Sequence, residues 1–461
     1  MRRSPNLPRR RVAAAAIDLA DIQGDVLRGY TYPCAAYLFL RIVEVERARA
    51  LLTRMLPQVS TAEPWQHGPP PTALHIAFTY AGLAAMEVPQ AVLDSFPDEF
   101  REGMAARAER LGDRGPSAPE HWEDCLGTGE AHALVTVYGV DAERLAQARE
   151  ALKGVGAAGA IKIVHEQRAA ELEQARDHFG FFDGIAQPAI AGTGVAPRPG
   201  DGQPDGRGGW RPVRTGEFLH GYADEDGRLP EAPAAPFDRN GTFAVYRKLA
   251  MDVAAFRRFL AEAGRDFPGG PERLAAKIVG RWRDGTPLVR SPDAPDPALV
   301  TDPAAINDFS YAGDPDGMRC PLGAHIRRGN PRDARGFFDG RLSNRQRLIR
   351  RGRPYGEPLP AGATDDDGVD RGLIFVCFNA SIWRQFETVQ ALWIDDGDPF
   401  GLGPDKDFLV GEPHGTEGKM TIQGRPPFFL KPQPRFVTMR GGEYLYRPSM
   451  TGLRWLSARR G

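Results

Sequence analysis

The chain has 461 residues, and its 59 basic side chains nearly balance its 60 acidic ones. That length exceeds one ordinary core and suggests two domains, with room to bury a cofactor. The near-zero net charge excludes a strongly basic nucleic-acid binder or a polybasic membrane-surface protein, so function has to come from local sites.

Residues 1–16 carry Arg2, Arg3 and Arg9 to Arg11 ahead of a short apolar run, Val12 to Ile17, which Asp18 and Asp21 end at once. This falls far short of a signal-peptide core and reads as a disordered basic arm. Ala36 to Val43 predicts a buried strand, Val45 to Met55 a helix and Leu74 to Tyr80 a second strand. Helices are expected from Gly82 and over Asp98 to Leu111, then a strand over His132 to Val140, a helix over Ala142 to Val155 and a strand over Ile161 to Glu166. No glycine-rich turn leads from a strand into a helix, which favours a split β-α-β arrangement over a dinucleotide fold. Gly192 to Arg214, dense in Gly, Pro, Asp and Arg, reads as a linker or surface loop. The pattern then restarts, with a strand over Thr242 to Ala250, a helix over Asp252 to Ala263 capped by Asp252, and another helix over Pro271 to Arg281. Arg371 to Asn379 is the most apolar strand. Ser381 to Leu392 is a helix with Ser381 as N-cap, Phe436 to Tyr446 the last strand, and Met450 to Leu456 a closing helix. No segment reaches the roughly eighteen apolar residues of a membrane span. Cys34, Cys125, Cys320 and Cys377 lie far apart and read as buried free thiols, which favours a reducing, cytoplasmic setting.

Three stretches carry chemistry. Arg319 to Arg332 places one imidazole, His325, in an apolar, tightly turned segment and follows it with guanidinium groups. An iron porphyrin with two carboxylates asks for that combination, with His325 on the iron and Arg332, together with Arg327 or Arg328, on the carboxylates. An ordinary loop histidine beside a solvated basic patch is the plain alternative. Phe179 to Pro188 sets Asp183 between glycines, which permit close approach to a flat ligand, and aromatic rings, which desolvate the carboxylate. Leu348 to Gly356 is a basic turn after a short apolar strand.

Together these stretches resemble the dye-decolourising peroxidase family. There a GxxDG segment carries a distal aspartate, the histidine of a CPxGAHIRRxNPR segment binds the haem iron, and an arginine four residues before Pro-Tyr-Gly completes the distal side. Gly180 to Gly184, Cys320 to Arg332 and Arg350 to Gly356 match in that order. Asp21 to Tyr30, Val245 to Leu249, Gly372 to Asn379, Arg440 to Tyr444 and Leu453 to Leu456 extend the likeness over nearly the whole chain.

The resemblance implies an α+β fold of two tandem ferredoxin-like domains with antiparallel sheets, at 17–191 and 215–461, and haem b (iron protoporphyrin IX) in the second. It implies hydrogen peroxide and an aromatic reductant or dye as partners, neither nucleic acid nor membrane, with a homo-oligomer left open. Asp183 would be the acid/base, Arg350 would stabilise the departing oxygen, and His325 would ligate iron. Gly184, Ile185, Ala186, Asn330, Arg332, Arg350, Leu373 and Phe375 would contact haem. Peroxide cleavage would leave a ferryl state that accepts two electrons singly. Alternation alone makes Leu373 and Phe375 core residues.

Glu387 is a candidate carboxylate for the second nitrogen of His325, a solvated helix glutamate being the alternative. Among the remaining histidines, which include His414, His178 lies nearest the distal motif. Trp383, Trp393, Tyr444 and Tyr446 are candidates to relay electrons to a bulky substrate. Gly352 stands where some bacterial members have asparagine, which points to the longer-chain branch, and no shell-targeting tail follows Trp455. The competing reading is a haem carrier or sensor, which needs His325 and the propionate contacts but not Asp183 with Arg350.

Overall fold

The computed structural model describes residues 16–459, apart from 157–158, 206–208, 339, 413–418 and 434. All but the last residue of the basic arm, and His414, lie outside the described residues.

Each half of the chain builds one four-step antiparallel motif. In the first half the strands are β1 (Cys34–Ile42), β2 (Thr72–Phe78), β3 (Ala133–Gly139) and β4 (Ile161–Ala170). Helix α1 (Val45–Met55) crosses from β1 to β2, and α2 (Ala142–Gly156) from β3 to β4. In the second half β5 (Thr242–Met251) is followed by α3 (Val253–Ala263), α4 (Gly270–Val279) and the five-residue α5 (His325–Gly329). Next come β6 (Ile349–Arg350), β7 (Arg353–Tyr355), β8 (Gly372–Asn379), a π-helix over Ile382–Ile394, and β9 (Val437–Arg447).

The spatial order β4-β1-β3-β2 continues as β9-β5-β8-β6, with β7 also on β8. Both halves thus share the ferredoxin-like strand order, and Tyr446 opposite Phe78 joins them into one sheet. At the far edges β4 lies alongside β7, so the sheet curls towards a closed barrel.

Burial on both faces explains why the strands read as nearly continuous apolar runs. Ala35, Tyr37 and Phe39 of β1 point into the barrel with Ala244 and Tyr246 of β5. Ala36, Leu38 and Leu40 point outward onto Ala48, Leu51, Leu52 and Met55 of α1. Glu44 caps α1 by accepting from the Arg47 N–H at 2.7 Å, and Asp252 caps α3 by accepting from the Ala255 N–H at 2.7 Å.

Three expectations are corrected. The helix expected over Asp98 to Leu111 is three short pieces, because Gly103 at φ +78° ends the first. The helix after Ser381 keeps its N-cap, with Ser381 Oγ accepting from the Arg384 N–H, but is π-wound throughout. The stretch from Gly192 to Arg214 is packed: its described part contains a small hairpin, Gln203–Pro204 with Trp210–Arg211, and buries Asp201 and Gln203. Asp201 Oδ1 accepts from Asn307 Nδ2 at 2.9 Å, so tertiary partners order a segment whose composition suggests a linker.

Glu443 of β9 is buried, and burial pushes its carboxyl up to about 8, although its Oε1 accepts the Gly127 N–H at 2.7 Å. The folded chain therefore keeps a proton that the unfolded chain, with an ordinary glutamate at about 4.3, has released. Stability associated with this group is lost as pH rises towards 8. Glu443→Gln keeps the acceptor without the charge, so relative to wild type it should gain on the order of 1 kcal/mol per pH unit across that window. Melting temperatures of the pair at pH 5 and pH 8.5 check this; equal differences at both would refute it.

Candidate haem site

One cavity opens on the outer face of β5, β8 and β9, covered by segments inserted between β5 and β6 and by the stretch that joins the two halves. Leu249 of β5, Leu373 and Phe375 of β8, and Met439 of β9 form its floor. Alternation turns Tyr246, Ile374 and Val376 the other way, into the barrel. Leu373 and Phe375 therefore line the cavity, beyond what periodicity by itself indicates.

His325 opens α5 and faces the cavity. Its Nδ1 lies 2.9 Å from Asp407 Oδ2, and Asp407 Oδ1 accepts the N–H groups of Leu409 and Val410 at 3.0 Å each. A carboxylate only accepts, so Nδ1 carries the proton and Nε2 is left with its lone pair. Burial opposes the charged imidazole, but the Asp407 charge and hydrogen bond outweigh it and raise His325. Burial pushes the Asp407 carboxyl up, but the charge and hydrogen bond of His325, the Arg328 charge and the Val410 N–H together hold it lowered.

The carboxylate behind the imidazole is thus Asp407 and not Glu387. Glu387 sits on the π-helix facing the other way, where it accepts from Arg107 Nε at 2.7 Å and Nη2 at 2.6 Å and from the Tyr444 hydroxyl at 3.0 Å. Asp407 belongs to an irregular loop rich in acids, glycine and proline, so no period singles it out.

Arg327 and Arg328 are braces pointing away from the cavity. Arg327 donates to the Cys320 carbonyl at 2.7 Å and to Asp314 Oδ2 at 3.1 Å. Arg328 donates to the carbonyls of Trp393 at 2.8 Å, Asp396 at 2.9 Å and Asp405 at 2.6 Å, which ties α5 to the loop that carries Asp407.

Asp183 reaches the cavity on the segment between the halves. Its loop is shaped by Gly180 at φ +90°, where a Cβ would lie 2.9 Å from Arg283 Nη1. Phe179 packs its ring at a tilt against Phe256 of α3, with centroids 4.5 Å apart. Asp183 is exposed to the cavity, and its Oδ1 accepts the Gly184 N–H at 2.6 Å. Arg350 of β6 is clipped to the same loop: Nη2 donates to the Ala186 carbonyl at 2.7 Å, and its backbone N–H donates to Gln187 Oε1 at 3.0 Å. Ile185 and Ala186 line the cavity, whereas Gly184 turns the chain beside it.

Arg281, Arg332 and Arg347 gather on another wall. Arg332, at φ +52°, stacks 3.7 Å over Phe309 and donates to Phe309 O at 2.6 Å and to Asn307 Oδ1 at 2.5 Å. Arg281 shares Asn307 Oδ1 at 3.1 Å. Among the described residues none of the three has an ion-pair partner. Burial, and repulsion from Arg332, push Arg281 and Arg347 down to about 9. Nearby, Asn330 faces the cavity with a buried Oδ1 lacking a hydrogen bond among the described residues. Sequence reasoning missed Arg281 and Arg347, since arginines are common and only the fold shows which lack carboxylates.

His178 lies behind the cavity wall, buried, its Nε2 2.7 Å from the Tyr355 carbonyl. Trp383 is exposed with the Arg110 guanidinium 4.7 Å above it, whereas Trp393, Tyr444 and Tyr446 are buried. All four cysteines are free, Cys34 half-buried and the others buried.

Comparison with known proteins places this fold in a class of peroxidases. Residues 21–171 match the family model for the DyP dimeric alpha+beta barrel domain. The chain is 30% identical over 482 residues to a dye-decolorizing peroxidase of Mycena epipterygia, covering 96% of this chain and 88% of that one. It is 28% identical over 485 residues to a multifunctional dye peroxidase of Amycolatopsis sp., covering 96% of each. A solved ancestral D-type dye decolorizing peroxidase superposes with a TM-score of 0.84 at 29% identity, covering 96% of this chain and all of that one. The chain belongs to the dye-decolourising peroxidase family and is a peroxidase of that type.

Proposed function

We propose that this protein is a haem b peroxidase that reduces hydrogen peroxide at the expense of an aromatic reductant, with Asp183, Arg350 and His325 in the working roles. The observation that carries this reading is that Asp183 and Arg350, joined through the Ala186 carbonyl, share one cavity with an imidazole whose Nδ1 is held by Asp407. A solved relative is described in complex with 2,6-dimethoxyphenol, which supports a phenolic reductant.

The residues fit the group. His325 Nε2 is a neutral-imidazole ligand oriented from behind, and the unpaired cations Arg281, Arg332 and Arg347 suit two propionates, because buried positive charge is costly until neutralised. Among the described residues no cysteine lines the cavity, which suits a non-covalent haem b. Haem held by these residues would supply a redox-active iron for the two-electron reduction of peroxide. Asp183 then takes the proton from one peroxide oxygen and returns it to the other. Arg350, fixed by Ala186 and always protonated, donates to the oxygen that departs. Asp407 keeps His325 in one tautomer and raises its basicity. The balance is one hydrogen peroxide and two reductant molecules giving two waters and two one-electron-oxidised products. Residues 17–191 would supply the acid/base and 215–461 the cofactor contacts. The free thiols suit a reducing, cytoplasmic compartment.

An absorption spectrum taken before and after one equivalent of peroxide is the test. A Soret band that shifts within seconds is expected; a band indifferent to peroxide would favour a haem carrier. With a carboxylate and not an imidazole as the base, dye oxidation is expected to peak on the acid side of neutrality. A rate profile with its maximum well above pH 7 would remove Asp183 from that role.

A further inference from the structure

The roles above leave unused a second carboxyl on the Asp183 wall. Asp177 and Asp183 belong to one small antiparallel hairpin. Arg176 bridges Phe182, the Asp183 N–H donates to Ala175 O at 3.0 Å, and the Asp177 N–H donates to Phe181 O at 2.9 Å. In that register residue 177 faces 181, and 183 is its diagonal neighbour on the same face of the ladder. Both acids line the cavity.

Asp177 also fastens the turn, its Oδ1 accepting the Phe181 N–H at 2.9 Å and its carbonyl the Gly180 N–H at 2.9 Å. Among the described residues Oδ2 has no hydrogen bond and Asp177 no ion pair. The charged groups around it are Asp183 on its own hairpin and Arg283 beside the turn, with Arg176 its neighbour in the chain. Arg176 donates to the Gly180 carbonyl at 2.7 Å, and Arg283 donates to the Phe179 carbonyl and lies 5.0 Å from the Phe181 ring centroid. Arg283 also pairs with Glu272 Oε2 at 2.7 Å, so both nearby cations are committed to other partners. Burial, reinforced by the charge of Asp183, pushes the Asp177 carboxyl up to about 7.

We propose that Asp177 is the proton reservoir of the site, acting through Asp183 during the half of the cycle in which the reductant is oxidised. Reducing hydrogen peroxide to two waters takes two electrons and two protons. The electrons come one each from two reductant molecules, and a proton released by the reductant outside the cavity has to be replaced within it. In each of the two one-electron steps the Asp177 carboxyl passes its proton to the Asp183 carboxylate, which the peroxide step leaves ionised, Asp183 delivers it to the oxygen that becomes water, and ionised Asp177 is reprotonated from solvent. No electron moves through either acid. The inference rests on Asp183 being the acid/base.

The test is Asp177→Asn, which keeps the Oδ1 acceptor of the turn, studied as haem-loaded protein by rapid mixing in the two half-reactions separately. At pH 5–6 the peroxide step should stay within about threefold of wild type while reduction by a phenol slows about tenfold or more, on the scale of a lost proton donor. The decline of wild-type reduction rates centred near pH 7 should vanish in Asp177→Asn and return in part in Asp177→Glu. Infrared difference spectra against wild type at pH 6, with or without haem, should show loss of a protonated-carboxyl band in Asp177→Asn and its retention in Asp183→Asn. Unchanged reduction rates, or no such band, would overturn the proposal. Equal slowing of both half-reactions would also overturn it, leaving Asp177 as a structural tie of the hairpin. A fast peroxide step in Asp183→Asn would instead remove the acid/base reading on which the proposal depends, and that result is read without Asp177.

Discussion

Asp183→Asn should lower the second-order rate of the peroxide reaction by about 10²–10⁴-fold, the range for removing a positioned acid/base, while the Soret band of the resting protein stays. Asparagine keeps the shape and the acceptor for the Gly184 N–H but cannot take a proton, so the loss reports chemistry and not folding. Arg350→Leu should cost about 10²–10³-fold in the same step, as for a lost charge-stabilising donor. The pair is expected to be non-additive, because Arg350 also clips the Ala186 carbonyl of the Asp183 loop. Stopped-flow traces of the Soret region with excess peroxide measure both. A rate within threefold of wild type for Asp183→Asn would end its assignment as the base.

The second large effect is expected at the ligand. His325→Ala removes the imidazole that faces the cavity, and the variant should emerge without a Soret band, or with one that added imidazole restores. Asp407→Asn should keep the fold but weaken haem retention by about 10- to 100-fold, the usual consequence of losing the partner that orients a ligating histidine. Competition for haem against a heme-binding acceptor protein gives the ratio. Unchanged retention in Asp407→Asn would mean that the 2.9 Å contact does not support the ligand. Glu387→Gln is the matched control: it should leave retention near wild type and instead loosen the packing of Arg107 and Tyr444.

Local sequence fixed what depends on neighbours in the chain. The apolar period placed β1, β3, β5, β8 and β9 within a few residues, since a strand buried on both faces needs an unbroken apolar run. Glu44 and Asp252 sit where first turns need acceptors. Asp183, His325 and Arg350 were legible because their segments resemble three motifs of the family in the family's order; the turns by themselves left plainer readings open.

The tertiary structure decided which distant groups meet. It put Asp407 and not Glu387 behind His325, because the choice depends on which way a π-wound helix and an irregular loop face, 62 and 82 residues away along the chain. It turned Arg327 and Arg328 inward as braces and left Arg281, Arg332 and Arg347 without an ion-pair partner among the described residues, a distinction invisible in a list of arginines. It also brought the segment between the halves across the second half, so that Asp177 and Asp183 face a cavity whose imidazole comes some 140 residues later. The sequence by itself determined the coarse alternation of strands and helices, since periodicity acts over a few residues, and its resemblance to the family supplied the paired halves and the three motifs. The cavity, its charge balance and the partner of its histidine came only with the fold, because burial and ion pairing are properties of groups brought together across the chain.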